Sequence, residues 1–116
     1  MNYKMLLWGM FLFLIGQITA WYQTNGQFIS KWFKENPFWT ILIFAFPVGY
    51  AYIEATRVIS EAFNGQVWPT RLLGFAMGIL AFSALTYFHL DENITLKTGV
   101  ILLLATAIVL IQVFWK

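Results

Sequence analysis

The charged side chains that could carry chemistry inside this sequence lie close together, in one apolar segment. Glu54, Arg57 and Glu61 follow one another at spacings of three and four residues. Such spacings place side chains on one face of a helix, so Arg57 can pair with either carboxylate. Ionisable groups in an apolar span are costly and are functional candidates by default. The sequence leaves two interpretations: a neutralised ion-pair ladder at the membrane boundary, or a substrate or proton site led by Glu54.

A few uncharged polar side chains extend the set of candidates. Gln17 lies in the first apolar segment and Gln112 in the last, where each can hydrogen-bond to a neighbouring helix or to a ligand. Pro47 removes a backbone donor in the second segment and predicts a kink beside Tyr50 and Tyr52, which could line a cavity. The predicted substrate or coupling-ion pathway therefore consists of four residues: Gln17, Tyr50, Glu54 and Arg57.

The composition excludes several classes of function. The sequence has no cysteine and one histidine, His89, so a site built from cysteine or several histidines is impossible. The sequence contains no nucleophile–base pair, metal cluster or phosphate loop, so we expect neither an enzyme nor a cofactor or metal. The net charge of +2 comes from scattered basic residues. Nucleic acid is therefore not an expected partner.

These residues must be positioned by helices in a lipid bilayer. Of the 116 residues, 60% are hydrophobic and 10% charged, and a soluble domain of this size would leave large apolar patches in water. A bilayer core needs about 20 residues of helix. The prediction is an all-α integral membrane protein, a single domain over 1–116, with four transmembrane helices running up-down-up-down. The four predicted spans cover about 5–22, 38–59, 72–90 and 96–115.

The distribution of basic residues gives a weak orientation signal. Four basic residues fall on the side of both termini and three on the other: Lys4, Arg57, Arg71 and Lys116 against Lys31, Lys34 and Lys97. The small excess favours cytoplasmic termini. An alternative is that the chain inserts in both orientations and forms antiparallel dimers, which would resemble the inverted repeats of many transporters.

Small and aromatic residues predict how the spans pack and anchor. Gly74 and Gly78 form a GxxxG pattern, which favours close helix packing within the protomer or across a dimer. His89 is interpreted as a residue of the span boundary. Aromatic rings prefer the headgroup region, and eight near the span ends are predicted as anchors: Trp8, Trp21, Tyr22, Trp32, Trp39, Trp68, Tyr87 and Trp115.

The order of the spans resembles that of the drug/metabolite transporter superfamily, in its short four-helix members. The likeness is clearest where a glycine-rich third helix, Gly74 to Tyr87, passes through the acidic turn Asp91 to Leu96 into an apolar fourth helix. Small multidrug resistance proteins are in this group, and they carry an essential Glu in their first helix. The segment Met5 to Tyr22 contains no acid, so their proton-coupled mechanism is not expected here.

The resemblance implies a multi-pass protein of the bacterial inner (cytoplasmic) membrane that moves small organic molecules as an oligomer. The expected partners are the lipid bilayer and either a second copy, in a homodimer, or other membrane subunits. The alternative function is a non-catalytic structural or accessory subunit of a larger membrane complex, with the third-helix glycines and the aromatic residues as its contact surface.

Overall fold

The computed structural model describes residues 2–115, and over that range the chain folds into helices and short connections. In chain order these are α1 (Tyr3–Asn25), a single 3-10 turn (Gly26–Phe28), α2 (Lys31–Glu35), α3 (Pro37–Ala62), α4 (Trp68–Leu90) and α5 (Leu96–Phe114). Four of the helices are long and apolar enough to cross a membrane. The predicted all-α membrane fold is confirmed. Met1 and Lys116, the latter counted above among the basic residues, lie outside the described residues.

Local sequence signals set the ends of these helices. Asn2 caps α1 by accepting a hydrogen bond from the Met5 backbone N–H at 3.2 Å, and Thr95 caps α5 in the same way through the Thr98 N–H, also at 3.2 Å. Helices α3 and α4 begin at or beside a proline. Proline lacks a backbone N–H, and it is tolerated in the first turn because the N–H groups there have no acceptor within the helix. Helices α1, α3 and α4 therefore extend beyond the apolar spans predicted from hydropathy, whereas α5 matches its predicted span to within one residue.

The connection after α3 turns sharply because two residues adopt positive φ angles. Asn64 has φ of 57° and Gly65 has φ of 86°, a conformation that glycine, and to a lesser degree asparagine, tolerate. The Gly65 N–H then donates to the Ser60 carbonyl at 2.8 Å, which satisfies one of the last carbonyls of α3. Asn64-Gly65 therefore ends the helix.

Helix α1 lies in the middle of the protein. It packs against α3 on one side and α4 on the other, and α5 packs against α4. The helices thus form a flattened slab of 47 × 35 × 19 Å. Two glycines let α1 approach α3 closely: Gly9 faces the side chain of Ile59, and Gly16 faces the ring of Tyr52. The buried core runs along this contact and includes Leu6, Phe13, Ala55, Ile59, Leu73 and Val113.

The two ends of the slab show the path of the chain. At one end Asn2, the α3–α4 connection and the last turn of α5 line a common recess. At the other end the C-terminal turn of α1 meets that of α4, where the Trp21 indole N–H donates to the Thr86 hydroxyl at 3.1 Å. The long helices therefore run up-down-up-down. We call these the terminal end and the opposite end.

Most of the predicted aromatic anchors are exposed at the ends of helices, but Trp21 is not. Its side chain is 3% exposed, and its indole is hydrogen-bonded to α4 and stacked on His89 with ring centroids 5.4 Å apart. The prediction of Trp21 as an interfacial anchor was wrong, because the end of α1 is covered by α4. Trp8, Trp39 and Trp68 remain more than half exposed, as anchors in the headgroup region would be.

The outer faces of the long helices are covered with exposed apolar side chains. Phe46 is 80% exposed on α3, Phe88 80% on α4 and Leu103 72% on α5. Lipid is the solvent that suits such a surface, and the length and composition of the four helices make the chain a multi-pass membrane protein.

Candidate functional site

A cavity of about 580 Å³ lies between α1, α3 and α4. It begins near the terminal end, beside the first turn of α4, and reaches Gly78 close to the middle of that helix. With a rise of about 1.5 Å per residue, Arg71 and Gly78 are about 10 Å apart along α4. The cavity is lined by Phe13, Gln17, Tyr52, Thr56, Val67, Thr70, Arg71, Gly74, Phe75, Gly78 and Ile79. It therefore leads from the terminal end of the protein towards the middle of the long helices.

Gln17 forms the inner end of the cavity. Its amide Nε2 donates a hydrogen bond to the Gly74 carbonyl on α4 at 3.2 Å. The amide lies directly over Gly78, where a Cβ would meet all three of its terminal atoms at 2.9 Å. Gly78 thus provides the space for the Gln17 side chain, and the hydrogen bond to Gly74 fixes its orientation.

The walls of the cavity combine aromatic rings with small hydroxyl groups. Phe13 and Tyr52 lie on facing helices with ring centroids 6.4 Å apart, and Phe75 completes the aromatic lining. Thr56 and Thr70 add hydroxyls, of which that of Thr70 donates to the Val67 carbonyl at 2.6 Å. An apolar lining with a few fixed polar groups is typical of sites for small organic molecules.

Arg71 is the charged residue of the cavity lining. It lies in the first turn of α4, near the terminal end, and its side chain is exposed. The ion pairs among residues 2–115 involve Lys31 and Arg57 but not Arg71. Arg71 does not join the charge cluster of α3, because Arg71 lines the cavity while that cluster lies on another face of α3. The cavity therefore carries a net positive charge.

The charge cluster of α3 forms the predicted ladder. Arg57 donates to the Glu54 carboxylate at 2.8 Å and to the Glu61 carboxylate at 3.1 Å. Tyr50 continues the same stripe one turn earlier and stacks on Phe46, with ring centroids 6.4 Å apart. None of the residues of this stripe lines the cavity. The Arg57 side chain is 54% exposed, so the ladder faces outwards.

The structure thus separates the four predicted pathway residues. Gln17 lines the cavity, whereas Tyr50, Glu54 and Arg57 lie together on the outer face of α3. The α3 residues that line the cavity are Tyr52 and Thr56. They share the face of α3 that is turned towards the cavity because they are four residues apart. Tyr52 was foreseen as a cavity residue beside Pro47. Thr56 was missed, although its spacing from Tyr52 was a usable signal.

The glycines of the GxxxG pattern face α1 within the same protomer. A Cβ at Gly74 would lie 3.1 Å from the ring of Phe13, and Gly78 accommodates Gln17 as described. Phe13 and Gln17 are themselves one turn apart on α1, so two successive side chains fit over two successive glycines. This α4 surface is occupied by α1 and is not free for a second copy.

A second polar cluster ties α1 to α4 at the opposite end. The Tyr22 hydroxyl and the His89 Nε2 are 2.8 Å apart, and the buried Trp21–Thr86 hydrogen bond lies next to them. His89 is therefore a packing residue between two helices as well as a boundary residue. Within residues 2–115 no group of three or more His, Asp or Glu side chains is placed to hold a metal ion.

Comparison with known proteins adds no relative. No protein-family model matches the sequence, and neither a curated protein nor a solved structure gives a match.

Proposed function

We propose that this chain is a small transporter-like protein of the bacterial inner membrane, related to the short four-helix drug/metabolite transporters, and that it moves small organic molecules as an oligomer. The proposal excludes an enzymatic role. The observation that carries it is the cavity between α1, α3 and α4, which has the volume of sites that hold small organic ligands, roughly 300–1,000 Å³. Gln17 and Thr70, each held by a hydrogen bond to a backbone carbonyl, supply fixed polar groups in it.

The position of the cavity supports transport better than simple binding. It reaches from the terminal end to about the middle of α4, and secondary transporters hold their substrates near the middle of the bilayer. One protomer provides a route from one membrane face only. A second copy, or a second arrangement of α3 against α1, would complete the route to the other face.

The shape of the protomer supports an oligomer. The helices form a slab 19 Å thick, and α5 has one neighbouring long helix, α4, along most of its length. Leu103, Leu104 and Ile111 leave its other side largely exposed. The same surface favours the second candidate function, an accessory subunit that packs against a larger membrane complex. Native mass spectrometry from the membrane separates the two, because a self-contained oligomer contains this chain alone.

Flux through vesicles tests the transport proposal. The purified chain is reconstituted, and the movement of two permanently charged probes is followed: naphthalenesulfonate, an anion, and naphthylmethyl trimethylammonium, a cation. We expect at least one probe to cross faster than in protein-free vesicles. Thr56→Trp fills the cavity and should abolish this flux. Ile53→Trp is the matched control, because Ile53 lies on the same helix, is 70% exposed and does not line the cavity. No flux of either probe through correctly inserted protein would contradict the proposal.

The same assay compares the cavity with the charge ladder. If the route runs through the cavity, Glu54→Gln should leave the flux normal while Thr56→Trp abolishes it. If the ladder carries the route, as the sequence first suggested, Glu54→Gln and Arg57→Ala should abolish flux while insertion stays intact. The two outcomes assign the pathway to different faces of α3.

A further inference from the structure

The charges around the cavity are unevenly distributed. Its lining contains one cationic side chain, Arg71, and no carboxylate. The two acids of α3, Glu54 and Glu61, lie close in sequence to the cavity residue Thr56, but both are paired with Arg57 on the outer face. A ligand that enters from the terminal end therefore meets a guanidinium without a carboxylate to neutralise it.

The chemistry further inside the cavity differs from that at its mouth. Phe13, Tyr52 and Phe75 present aromatic surface, and the Gln17 amide at the inner end is already engaged with Gly74. A ligand that matches the whole cavity has an anionic group at one end and an apolar body behind it. A guanidinium binds carboxylate, sulfonate or phosphate oxygens through paired N–H donors.

We propose that the cavity binds organic monoanions, with the acid group of the ligand against Arg71 and its apolar body against the exposed surfaces of Tyr52 and Phe75. The inference rests on the proposed function for its biological meaning, since it names the class of molecule that is moved. The binding itself is a separate property. A cavity whose essential residue is an acid favours cations, whereas the cavity of this chain favours anions.

Equilibrium dialysis of the full chain in a neutral maltoside detergent tests the proposal. Three probes share a naphthalene body and differ in the charge of the head: naphthalenesulfonate, naphthalenesulfonamide and naphthylmethyl trimethylammonium. The sulfonate should bind at least about tenfold more tightly than the isosteric neutral sulfonamide, because one charge-assisted hydrogen bond changes a binding constant by at least about that factor. The preference should shrink as salt is added, because the guanidinium is exposed. Equal binding of the sulfonate and the sulfonamide, or tighter binding of the cation, would overturn the proposal.

Substitutions assign the preference to Arg71. Arg71→Gln should remove the tenfold difference and leave binding of the sulfonamide unchanged, whereas Arg71→Lys keeps the charge and should retain most of the preference. Lys4→Gln is the matched control, since Lys4 is an exposed cation at the same end of the protein but outside the cavity. If Arg71→Gln fails to fold, Lys4→Gln still tests the assignment, because loss of the sulfonate preference in that variant would refute the role of Arg71. A full preference in folded Arg71→Gln would refute the role of Arg71.

Two sources of such an anion can be distinguished in the same preparation. A phosphatidylglycerol molecule and a soluble organic acid each carry one negative charge and an apolar part. Displacement of naphthalenesulfonate by phosphatidylglycerol, but not by phosphatidylcholine, assigns the site to a membrane lipid. Retention of the sulfonate against both lipids assigns it to a soluble anion.

Measurement of flux in vesicles distinguishes the transport proposal from the proposal of an anion-binding site. Selective binding of the sulfonate without flux of any probe would leave the anion site standing and refute transport. Flux of the cation with no binding of the sulfonate would leave transport standing and refute the anion site.

Discussion

Gly9 on α1 lies so close to α3 that a methyl group has no room there. A Cβ at this position would be 2.5 Å from Cδ1 and 2.6 Å from Cγ1 of Ile59, and 3.3 Å from Cγ1 of Val58. Ile59 is fully buried, so its side chain cannot move aside into solvent or lipid. Gly9→Ala should therefore force α1 and α3 apart or strain Ile59.

The magnitude follows from a comparison with Gly49. In Gly49→Ala the new methyl group meets no atom within 4 Å, so this variant gains only the helix propensity of alanine, about 1 kcal/mol. Gly9→Ala gains the same propensity but also overpacks the helix contact, which costs about 1–3 kcal/mol. The free energy of unfolding of Gly9→Ala should thus lie about 1–3 kcal/mol below that of Gly49→Ala.

Unfolding by sodium dodecyl sulfate in mixed micelles, followed by circular dichroism, measures this difference. Ile59→Ala provides a further check because it removes both of the atoms that clash. The double variant should be more stable than the sum of the two single effects predicts, since the alanine methyl at residue 9 then occupies part of the vacated space. Equal stability of Gly9→Ala and Gly49→Ala would refute the packing of α1 on α3.

Three further predictions concern the helix ends and the charge ladder. Trp21→Phe removes the buried hydrogen bond to Thr86 and should lower the free energy of unfolding by about 1–3 kcal/mol. Trp68→Phe is the control: Trp68 is 77% exposed, so this variant should change the free energy by less than about 0.5 kcal/mol. Unfolding in mixed micelles measures both variants. Glu54→Gln should shift the same free energy by no more than about 1 kcal/mol, because the ladder is exposed and Arg57 keeps its second partner. A loss of several kcal/mol would instead place the ladder in a buried environment. Asp91→Gly should be neutral or stabilising in thermal unfolding because Asp91 has φ of 54°, and marked destabilisation would show that this left-handed turn is not formed.

The sequence was sufficient for the elements of the fold because lipid imposes simple rules on length and composition. Apolar runs of about 20 residues predicted four helices, and α3 begins at Pro37 and ends before the turn Asn64-Gly65, residue types that commonly stand at helix ends. The ion pairs of Arg57 followed from spacing along one helix. Such local signals depend on neighbouring residues and need no knowledge of the tertiary structure.

The sequence was insufficient for the order of the helices in space. The long helices carry apolar side chains on every face, so hydropathy does not tell a face that contacts lipid from one that packs on protein. The central position of α1, the burial of Trp21 and the separation of Gln17 from Glu54 all depend on that order. The glycines were a partial signal, since Gly74 and Gly78 predicted a close contact without naming α1 as the partner.

Single-cysteine labelling tests most directly whether the cavity is an aqueous route into the membrane. The sequence contains no cysteine, so each introduced thiol reports alone, and a thiol reacts with a polar maleimide only where water reaches it. Thr56→Cys, which lines the cavity, should react with the impermeant reagent applied at the terminal end, and naphthalenesulfonate should slow the reaction. Ile53→Cys, which lies on α3 but outside the cavity lining, should stay unreactive in lipid. An unreactive Thr56→Cys, or equal reaction of the two variants, would contradict the assignment of the cavity.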